Sequence, residues 1–388
     1  MTRAQSAAST ALRVSTTARQ SPRGQRVPRY PRNVAPPVLV EARRGDLVES
    51  RHRGHVVQVA ADGTIQRGVG DPDAMVTLRS AIKPFALLAV LEAGVEDALK
   101  LNDQELAVLA SSHTGEDAHV RTLQGVLRRA GLSQALLACG TDDAPVDRLT
   151  AARLAREGES PSPIRHMCSG FHAASLLLAR HAGWSLDDYW RPDHPTQLAV
   201  ADVVARVFGT QRAALASAVD ACGLLTYAFP LADVARAYAL LADPQLAPDP
   251  PRRALAAHLG RVRDAMLAHP EMVGGTRDSS DTLLMKARPG GLLAKSGAES
   301  LRGVGLLPGV LGPGAGAAGL AIKIEDGDGR SRANRAVTVE ALAQMGVFDR
   351  AALERLAALH RPPVRDPRGV EVGQAVPRFE LAPIAELL

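Results

Sequence analysis

The hydrophobic and polar positions of the chain predict strands at both ends and helices between them. From residue 36, apolar and polar residues alternate through PVLVEARRGDLVESRHRGHVVQVAADGTIQRGVG, with a turn at Ala61-Asp62-Gly63, which is typical of an antiparallel hairpin or meander. Short strand candidates return later, with EDGDGR as a turn, at 291–295, 301–307 and 318–324. This order indicates an α+β fold whose antiparallel sheet is built from both ends of the chain.

Helical spacing dominates the middle of the chain. In TLRSAIKPFALLAVLEAG, residues 77–94, the apolar positions recur every three or four residues, and Pro84 fits the first turn of a helix. Further helix candidates lie on both sides of ASSHTGED and beyond, at 100–132, 173–182, 197–219 and 334–360. We predict one domain over 37–388 with a helical insert at about 100–260, closed by a proline-punctuated tail.

Basic charge is concentrated at the start of the chain. The 388 residues carry a net charge of +5, but the first 40 hold seven arginines and no acid, so the rest is slightly acidic and lacks the charge expected for nucleic-acid binding. The first segment is rich in Ser, Ala, Arg and Pro without a signal-peptide core, which predicts a disordered tail at 1–36. Its composition fits a transit peptide or a start codon placed too far upstream, and the second reading is favoured.

Composition otherwise indicates a cytoplasmic protein. The 46% apolar and 22% charged residues are ordinary for a globular chain, and no run approaches the roughly 18 apolar residues of a membrane span. Three cysteines, Cys139, Cys168 and Cys222, are too few for a disulfide framework and suit a reducing compartment. We therefore expect no membrane and no nucleic-acid partner.

Lysine is rare in this chain, and two lysines lie in motifs of catalytic type. Only five lysines occur, and Lys83 follows Ser80 by one helical turn inside an apolar stretch. A neutral lysine next to a serine can take its proton and make it a nucleophile, which requires the amine pKa to fall through burial and nearby positive charge. Taken alone, Ser-x-x-Lys more often marks a solvated lysine on a surface helix.

A second motif makes catalysis the leading hypothesis. Lys295 ends an apolar run and is followed by Ser296 and Gly297, and an early Ser-x-x-Lys with a late Lys-Ser-Gly resembles the layout of penicillin-recognising enzymes. The segment VLASSHTGEDAHV adds Ser112 and His113 between them, although SSHTGE by itself reads equally well as a helix cap. A serine acyl-enzyme hydrolase is the predicted class.

Seven segments together resemble one family. The segments VESRHRGH, RSAIKPF, SSHTGE, CSGFHAASLL, VDACGLLTYAFPL, EMVGGTRDSSDTLLM and AKSGAE have the order and spacing of the asparaginase II family, the thermolabile type first known from rhizobia. The resemblance implies a fold like the serine β-lactamases and glutaminases, a homodimer, and hydrolysis of L-asparagine to L-aspartate and ammonia. The alternatives are a penicillin-recognising or other amide hydrolase, and a catalytically silent amino-acid-binding relative.

The resemblance also implies site residues. Carried over by position, the catalytic pairs are Ser80 with Lys83 and Ser112 with Lys295, and Ser80 is favoured as the nucleophile with Lys83 as its base. Ser112 and Lys295 would then relay protons and lower the pKa of Lys83. The implied substrate-binding residues are Arg79, Arg277 and His113, since an arginine fork suits an α-carboxylate.

No cofactor is expected to be required, although the family carries a zinc site of two cysteines and a lysine tuned by an aspartate. Cys168, Cys222 and Asp220 match it, whereas Phe171 stands in the place of the lysine. Phenylalanine offers zinc no ligand, and His172 could substitute only if it points the same way. Phe171 also bears on substrate preference, because that lysine faces the substrate in the family.

Overall fold

The computed structural model describes residues 35–142, 144–329 and 331–383. The predicted tail, 1–36, therefore lies almost entirely outside the described residues. The strands are β1 Val38–Arg44, β2 Leu47–Ala60, β3 Ile65–Val69, β4 Met75–Thr77, β5 Ala216–Val219, β6 Leu225–Pro230, β7 Leu292–Gly297, β8 Leu301–Leu306, β9 Ala318–Ile324, β10 Pro363–Arg365, β11 Glu371–Pro377 and β12 Ala382–Pro383.

Helices fill most of the chain between β4 and β7 and return after β9. They are α1 Lys83–Ala86, α2 Leu88–Glu92, α3 Val95–Leu99, α4 Asp103–Leu109, α5 Asp117–Arg129, α6 Arg148–Glu157, α7 Ser169–His181, α8 Pro195–Val207, α9 Leu231–Ala242, α10 Pro250–Arg253, α11 Ala256–Ala268, α12 Pro270–Val273, α13 Ser280–Ala287, α14 Ala333–Gln344, α15 Arg350–Arg355 and α16 Ala357–His360. Short 3-10 helices occur at Arg79–Ile82, Gln134–Leu136, Pro163–Arg165, Arg212–Ala214 and Pro244–Leu246. Among the described residues, no helix is long and apolar enough to cross a membrane.

One large antiparallel sheet joins the two ends of the chain. Its strands run in the order β10-β11-β1-β2-β9-β8-β7, and β3 pairs with β2 and β12 outside this path. The 14-residue β2 is the link: its first half pairs with β1 and its second half with β9 and β3. The predicted α+β architecture, with the sheet formed from both chain ends, is confirmed.

The core lies on both faces of this sheet. Helix α9 packs against β8 and β9, while α14 packs against β9, β11 and β1. All six residues of β8 are buried, which is expected of a strand covered on both sides. Glycines allow the close approach of α9, because a Cβ at Gly319 would lie 1.8 Å from the carbonyl oxygen of Ala235. The strands β7 and β8 of this sheet also pack against the 3-10 helix at Arg79–Ile82.

The sequence patterns are right for the main sheet and wrong in two places. The meander from residue 36, its turn at 61–63 and the three later strands all form. The helix candidate at 197–219 ends instead at Val207, and residues 216–219 form β5 of a small sheet ordered β4-β6-β5. The candidate at 334–360 is divided into α14, α15 and α16, and the proline-punctuated tail adds β10, β11 and β12.

Candidate active site

Lys83 is buried at the start of α1, with three hydrogen-bond acceptors around its amine. Its side chain is 2% exposed, and Nζ donates to the Ser111 carbonyl oxygen at 2.8 Å, to Ser112 Oγ at 3.0 Å and to Cys168 Sγ at 3.2 Å. Three acceptors match the three N–H donors of an ammonium group. These contacts use all three donors, so the Lys83 amine must give up one acceptor before it can take a proton from another group.

Lys295 on β7 is fully buried and contacts the same serine. Its Nζ donates to Ser112 Oγ at 2.9 Å and to the Ser296 carbonyl oxygen at 2.8 Å, and it lies 3.9 Å from Asp281 Oδ2. Burial, with the positive charge of Lys83, lowers the pKa of Lys295 to about 7, and Asp281 opposes this shift. Lys295 therefore changes its charge near neutral pH.

Ser112 is the side chain that joins the two amines. It follows α4 in the segment 111–116, and its backbone N–H donates to the Val273 carbonyl oxygen at 3.0 Å, which fixes this segment against the end of α12. Its Oγ lies within hydrogen-bond distance of both Lys83 and Lys295. The result is a continuous buried chain from one amine to the other, along which a proton can pass.

Ser80 lies beside this chain on the 3-10 helix before α1. The backbone N–H of Lys83 donates to the Ser80 carbonyl oxygen, so the two residues are one turn apart as predicted. The Ser80 side chain is half-buried, and within the described part of the chain its hydroxyl has no hydrogen bond to Lys83 or to another side chain. The structure thus joins Lys83 to Ser112 directly and leaves Ser80 free to meet a ligand.

Backbone strain precedes Ser80. Arg79 has a φ of 48°, in the left-handed region that non-glycine residues rarely adopt, and its N–H donates to Thr226 Oγ1 at 2.9 Å on β6. Strain of this kind persists only where surrounding contacts enforce it, and it concentrates at functional sites. The Thr226 contact and the packing of β7 on the 3-10 helix are the enforcing contacts here.

Gly297 sets the distance between β7 and the 3-10 helix. A Cβ at this position would lie 2.3 Å from the Leu78 carbonyl oxygen, a backbone atom that cannot move without moving Ser80. We expect Gly297→Ala to lower kcat/KM by about tenfold to 10²-fold, because small displacements of reacting groups have effects of this size. The matched control is Gly125→Ala on α5, where a Cβ meets open space; equal kinetics in the two variants would contradict this account.

The two arginines predicted to bind substrate are both paired with protein carboxylates. Arg79 contacts Asp220 through Nε at 2.9 Å and through Nη2 at 2.8 Å. Arg277 is exposed and holds Asp147 through two hydrogen bonds of 3.0 and 2.6 Å, which lower the pKa of that carboxyl. Each guanidinium would have to share or exchange its partner to bind a substrate carboxylate, so this role stays a prediction.

His113, also predicted to bind substrate, has no free ring nitrogen in this structure. It is fully buried, with Nε2 2.8 Å from Ser169 Oγ and Nδ1 accepting from the Gly115 N–H at 3.1 Å. Its ring stacks on His119, and burial lowers its pKa well below the usual range. Neutral His113 therefore holds the 111–116 segment against α7, and its contact with substrate stays a prediction.

The cysteines predicted to bind zinc form a thiol pair. Cys168 is the thiolate, because a hydrogen bond from Cys222 and the charge of Lys83 lower its pKa well below the usual range, while the same contact raises the pKa of Cys222. Asp220 is engaged by Arg79, and Phe171 is buried at the family's lysine position. The Cys168 thiolate thus serves as the anionic partner of Lys83.

These donors do not fit a tetrahedral zinc site. His172 contacts the Tyr189 hydroxyl through Nδ1 at 2.6 Å, its buried Nε2 has no hydrogen-bond partner among the described residues, and burial lowers its pKa to about 3. Across the described ranges, no three His, Cys, Asp or Glu side chains are grouped so that they could hold a metal ion. Two thiols without a third ligand fall short of the four that structural zinc requires.

One buried charged residue of the site was not predicted. Asp281 on α13 accepts hydrogen bonds from Ser296, contacts Arg302 on β8, and lies beside Lys295. The sequence signal was an acid in the first turn of a helix, within DSSDTLLM, a position that is most often exposed.

Comparison with known proteins identifies the class of protein to which this chain belongs. The family model described as L-asparaginase II matches residues 40–377, which is most of the chain. This makes the protein a hydrolase of amide C–N bonds. The chain belongs to the L-asparaginase II family. A search of curated proteins gave no match.

Solved structures similar to this chain include glutaminases. One is a probable glutaminase from Bacillus subtilis complexed with 6-diazo-5-oxo-L-norleucine, at 13% identity over 76% of this chain and 85% of that chain, with a TM-score of 0.37. Another structure of a Bacillus subtilis probable glutaminase is 11% identical over 76% of this chain and 89% of that chain, with a TM-score of 0.36. A structure of the protein Mglu is 16% identical over 76% of this chain and 67% of that chain, also with a TM-score of 0.36. Similarity at this level carries no argument about substrate or mechanism.

Proposed function

We propose that this protein is an L-asparaginase that hydrolyses L-asparagine to L-aspartate and ammonia through a serine acyl-enzyme. The observation that supports the proposal most is the buried chain Lys83–Ser112–Lys295, with Ser80 one helical turn before Lys83. Two buried amines that share one hydroxyl can hold a single extra proton between them, which is what acid and base steps at one carbonyl require.

Ser80 Oγ attacks the side-chain carboxamide carbon in this proposal, and Lys83 in its neutral form takes the hydroxyl proton. The tetrahedral intermediate collapses when its amide nitrogen receives a proton from Lys83, and ammonia leaves. A β-aspartyl ester of Ser80 remains. Water then attacks that ester, again losing a proton to the lysine pair, and the Ser80 oxygen recovers its proton as L-aspartate departs.

Ser112 and Lys295 have a supporting role in this scheme. Ser112 Oγ can accept from one amine while it donates to the other, so that Lys295, with its pKa near 7, supplies or withdraws the proton that Lys83 exchanges with the reacting groups. Arg79 is the proposed carboxylate ligand, with release of one Asp220 contact.

Turnover by the full chain tests the activity. We expect ammonia release from L-asparagine above that from L-glutamine, no hydrolysis of a penicillin, and no change when zinc or a chelator is added. Release from L-glutamine or penicillin alone would reassign the substrate class, and no release from a folded sample would support a silent amino-acid-binding relative. Retention of zinc after dialysis would support the predicted zinc site at Cys168 and Cys222.

Covalent labelling tests the nucleophile. A diazoketone analogue of L-asparagine alkylates an activated serine, and peptide mass spectrometry then locates the adduct. We expect the adduct on Ser80 in the parent protein and in Ser112→Ala, and no adduct in Ser80→Ala. An adduct on Ser112 would show that Ser112 is the nucleophile and would leave the proton-relay role to Ser80.

The proposal extends to a cytoplasmic homodimer. Its support is the implied family assembly together with three cysteines that are all free in the structure. Light scattering on the purified full chain should give twice the mass of 40.8 kDa.

A further inference from the structure

Asp281 is a buried carboxylate that contacts Ser296 and Arg302 and lies beside the Lys295 amine. It is 4% exposed, and its Oδ2 accepts from the Ser296 N–H at 2.8 Å and from Ser296 Oγ at 2.7 Å. The same oxygen lies 3.9 Å from Lys295 Nζ. Its other oxygen, Oδ1, is paired with the guanidinium of Arg302. Burial of an acid to this extent is rare unless paired charges surround it.

The Ser296 peptide connects Asp281 to the lysine. Asp281 binds the N–H and hydroxyl of Ser296, while Lys295 Nζ donates to the carbonyl oxygen of the same residue at 2.8 Å. Ser296 in turn is the strand neighbour of Arg302 across β7 and β8. One carboxylate thereby fixes the backbone around which the Lys295 side chain folds back, and also places a negative charge 3.9 Å from its amine.

We propose that Asp281 is a positioning residue of the active site, which holds the Lys295 amine against Ser112 and sets the charge that this amine carries. The inference rests on the proposed function for its catalytic consequence only. The effect of Asp281 on the Lys295 pKa can be measured even in a protein that turns over no substrate.

Four charged groups act on Lys295 from the elements packed around it. Asp281 on α13 and the Cys168 thiolate before α7 raise its pKa, whereas Lys83 on α1 and Arg302 on β8 lower it. Burial lowers it further and is the largest effect. Removal of the Asp281 charge takes away the larger of the two effects that raise the Lys295 pKa, so that pKa must fall below about 7 in Asp281→Asn.

The direct test is NMR titration of the lysine side chains. The chain has only five lysines, so selective labelling of lysine Cε gives few signals, and Lys83→Arg, Lys100→Arg, Lys286→Arg and Lys323→Arg assign four of them, which leaves the fifth to Lys295. We expect the buried signal of Lys295 to titrate near pH 7 in the parent and at least one pH unit lower in Asp281→Asn. An unchanged midpoint would overturn the proposal.

Two further variants separate positioning from general loosening of the fold. Ser280→Ala removes a hydroxyl that Arg302 contacts at 2.7 Å on the same helix while leaving Asp281 intact, so its Lys295 midpoint should match the parent. Ser296→Ala keeps the carboxylate but frees Oδ2 from the hydroxyl, so the midpoint should rise. If Asp281→Asn does not fold, Ser296→Ala becomes the deciding variant. A Lys295 midpoint in Ser296→Ala that does not rise above the parent value would refute the inference.

Activity then links the inference to catalysis. If the neutral Lys295 amine is needed, the acid limb of kcat/KM moves to lower pH in Asp281→Asn by the same interval as the NMR midpoint, with kcat reduced about tenfold at its optimum. A parent protein without turnover would refute the proposed function and leave the NMR result standing. A shifted midpoint with an unmoved acid limb would place Asp281 outside the catalytic step.

Discussion

Lys83→Arg should reduce kcat for amide hydrolysis by at least about 10³-fold while the protein remains folded. A guanidinium keeps the positive charge that Cys168 and Ser111 face, and it can donate to the same acceptors. It cannot give up its proton at any pH that the protein tolerates. The substitution therefore removes proton transfer and preserves charge, which most lysine replacements do not.

The measurement is steady-state ammonia release, together with circular dichroism and thermal unfolding. Lys286→Arg is the matched control, because Lys286 is exposed on α13 and should tolerate the change without effect. Lys83→Met, which removes the charge as well, should be equally inactive and less stable because the Cys168 thiolate loses its partner. Activity of Lys83→Arg within tenfold of the parent would exclude Lys83 as the base.

Ser112→Ala should lower kcat by about 10²-fold to 10³-fold with a much smaller change in KM. The Ser112 hydroxyl is the link between Nζ of Lys83 and Nζ of Lys295. Without it, the two amines face each other with no oxygen to carry a proton between them, and protonation of one opposes protonation of the other. Both acylation and deacylation use this transfer, so both should slow.

Ser111→Ala provides an unusually close control. Ser111 is the preceding residue, equally short, and its buried hydroxyl has no hydrogen-bond partner within the described ranges. Its contribution to the site is its backbone carbonyl, which the substitution keeps. We expect kinetics close to the parent. Similar losses in the two variants would show that packing at the end of α4, and not the Ser112 hydroxyl, limits turnover.

Alternating and apolar segments predict the main sheet because the burial of each strand leaves a recognisable pattern of apolar residues in the sequence. β1 to β3 alternate, while β8 is buried along its whole length and includes the buried charge of Arg302. β5 escaped prediction because its four residues are all exposed, so no hydrophobic pattern separates it from the preceding helix. β11 joined the sheet although prolines surround it, since Pro377 ends the strand and so interrupts nothing inside it.

The sequence predicted most residues of the candidate site, but it did not predict the hydrogen bonds that join them. Scarce lysines next to serines marked Lys83 and Lys295, but Ser112 is 29 and 183 positions away from them, and a shared hydrogen bond over such separations depends on the fold. The pairing of Arg79 with Asp220 spans 141 positions and was equally hidden. Asp281 was missed because burial of a helix-start acid is decided by β7 and β8, which follow it in the chain.

The sheet that supports the site has a consequence for how the protein is made. His52 on β2 hydrogen-bonds to Asp326, which the ribosome adds 274 positions later, and β2 pairs along its second half with β9. The 3-10 helix that carries Ser80 packs on β6 and β7, which are synthesised well after it, and contacts of such long sequence separation form slowly. Synthesis at about 5 to 20 residues per second therefore keeps the nascent chain inert for most of its translation. We therefore expect hydrolysis only after β7, which carries Lys295, has been synthesised and has paired with β8.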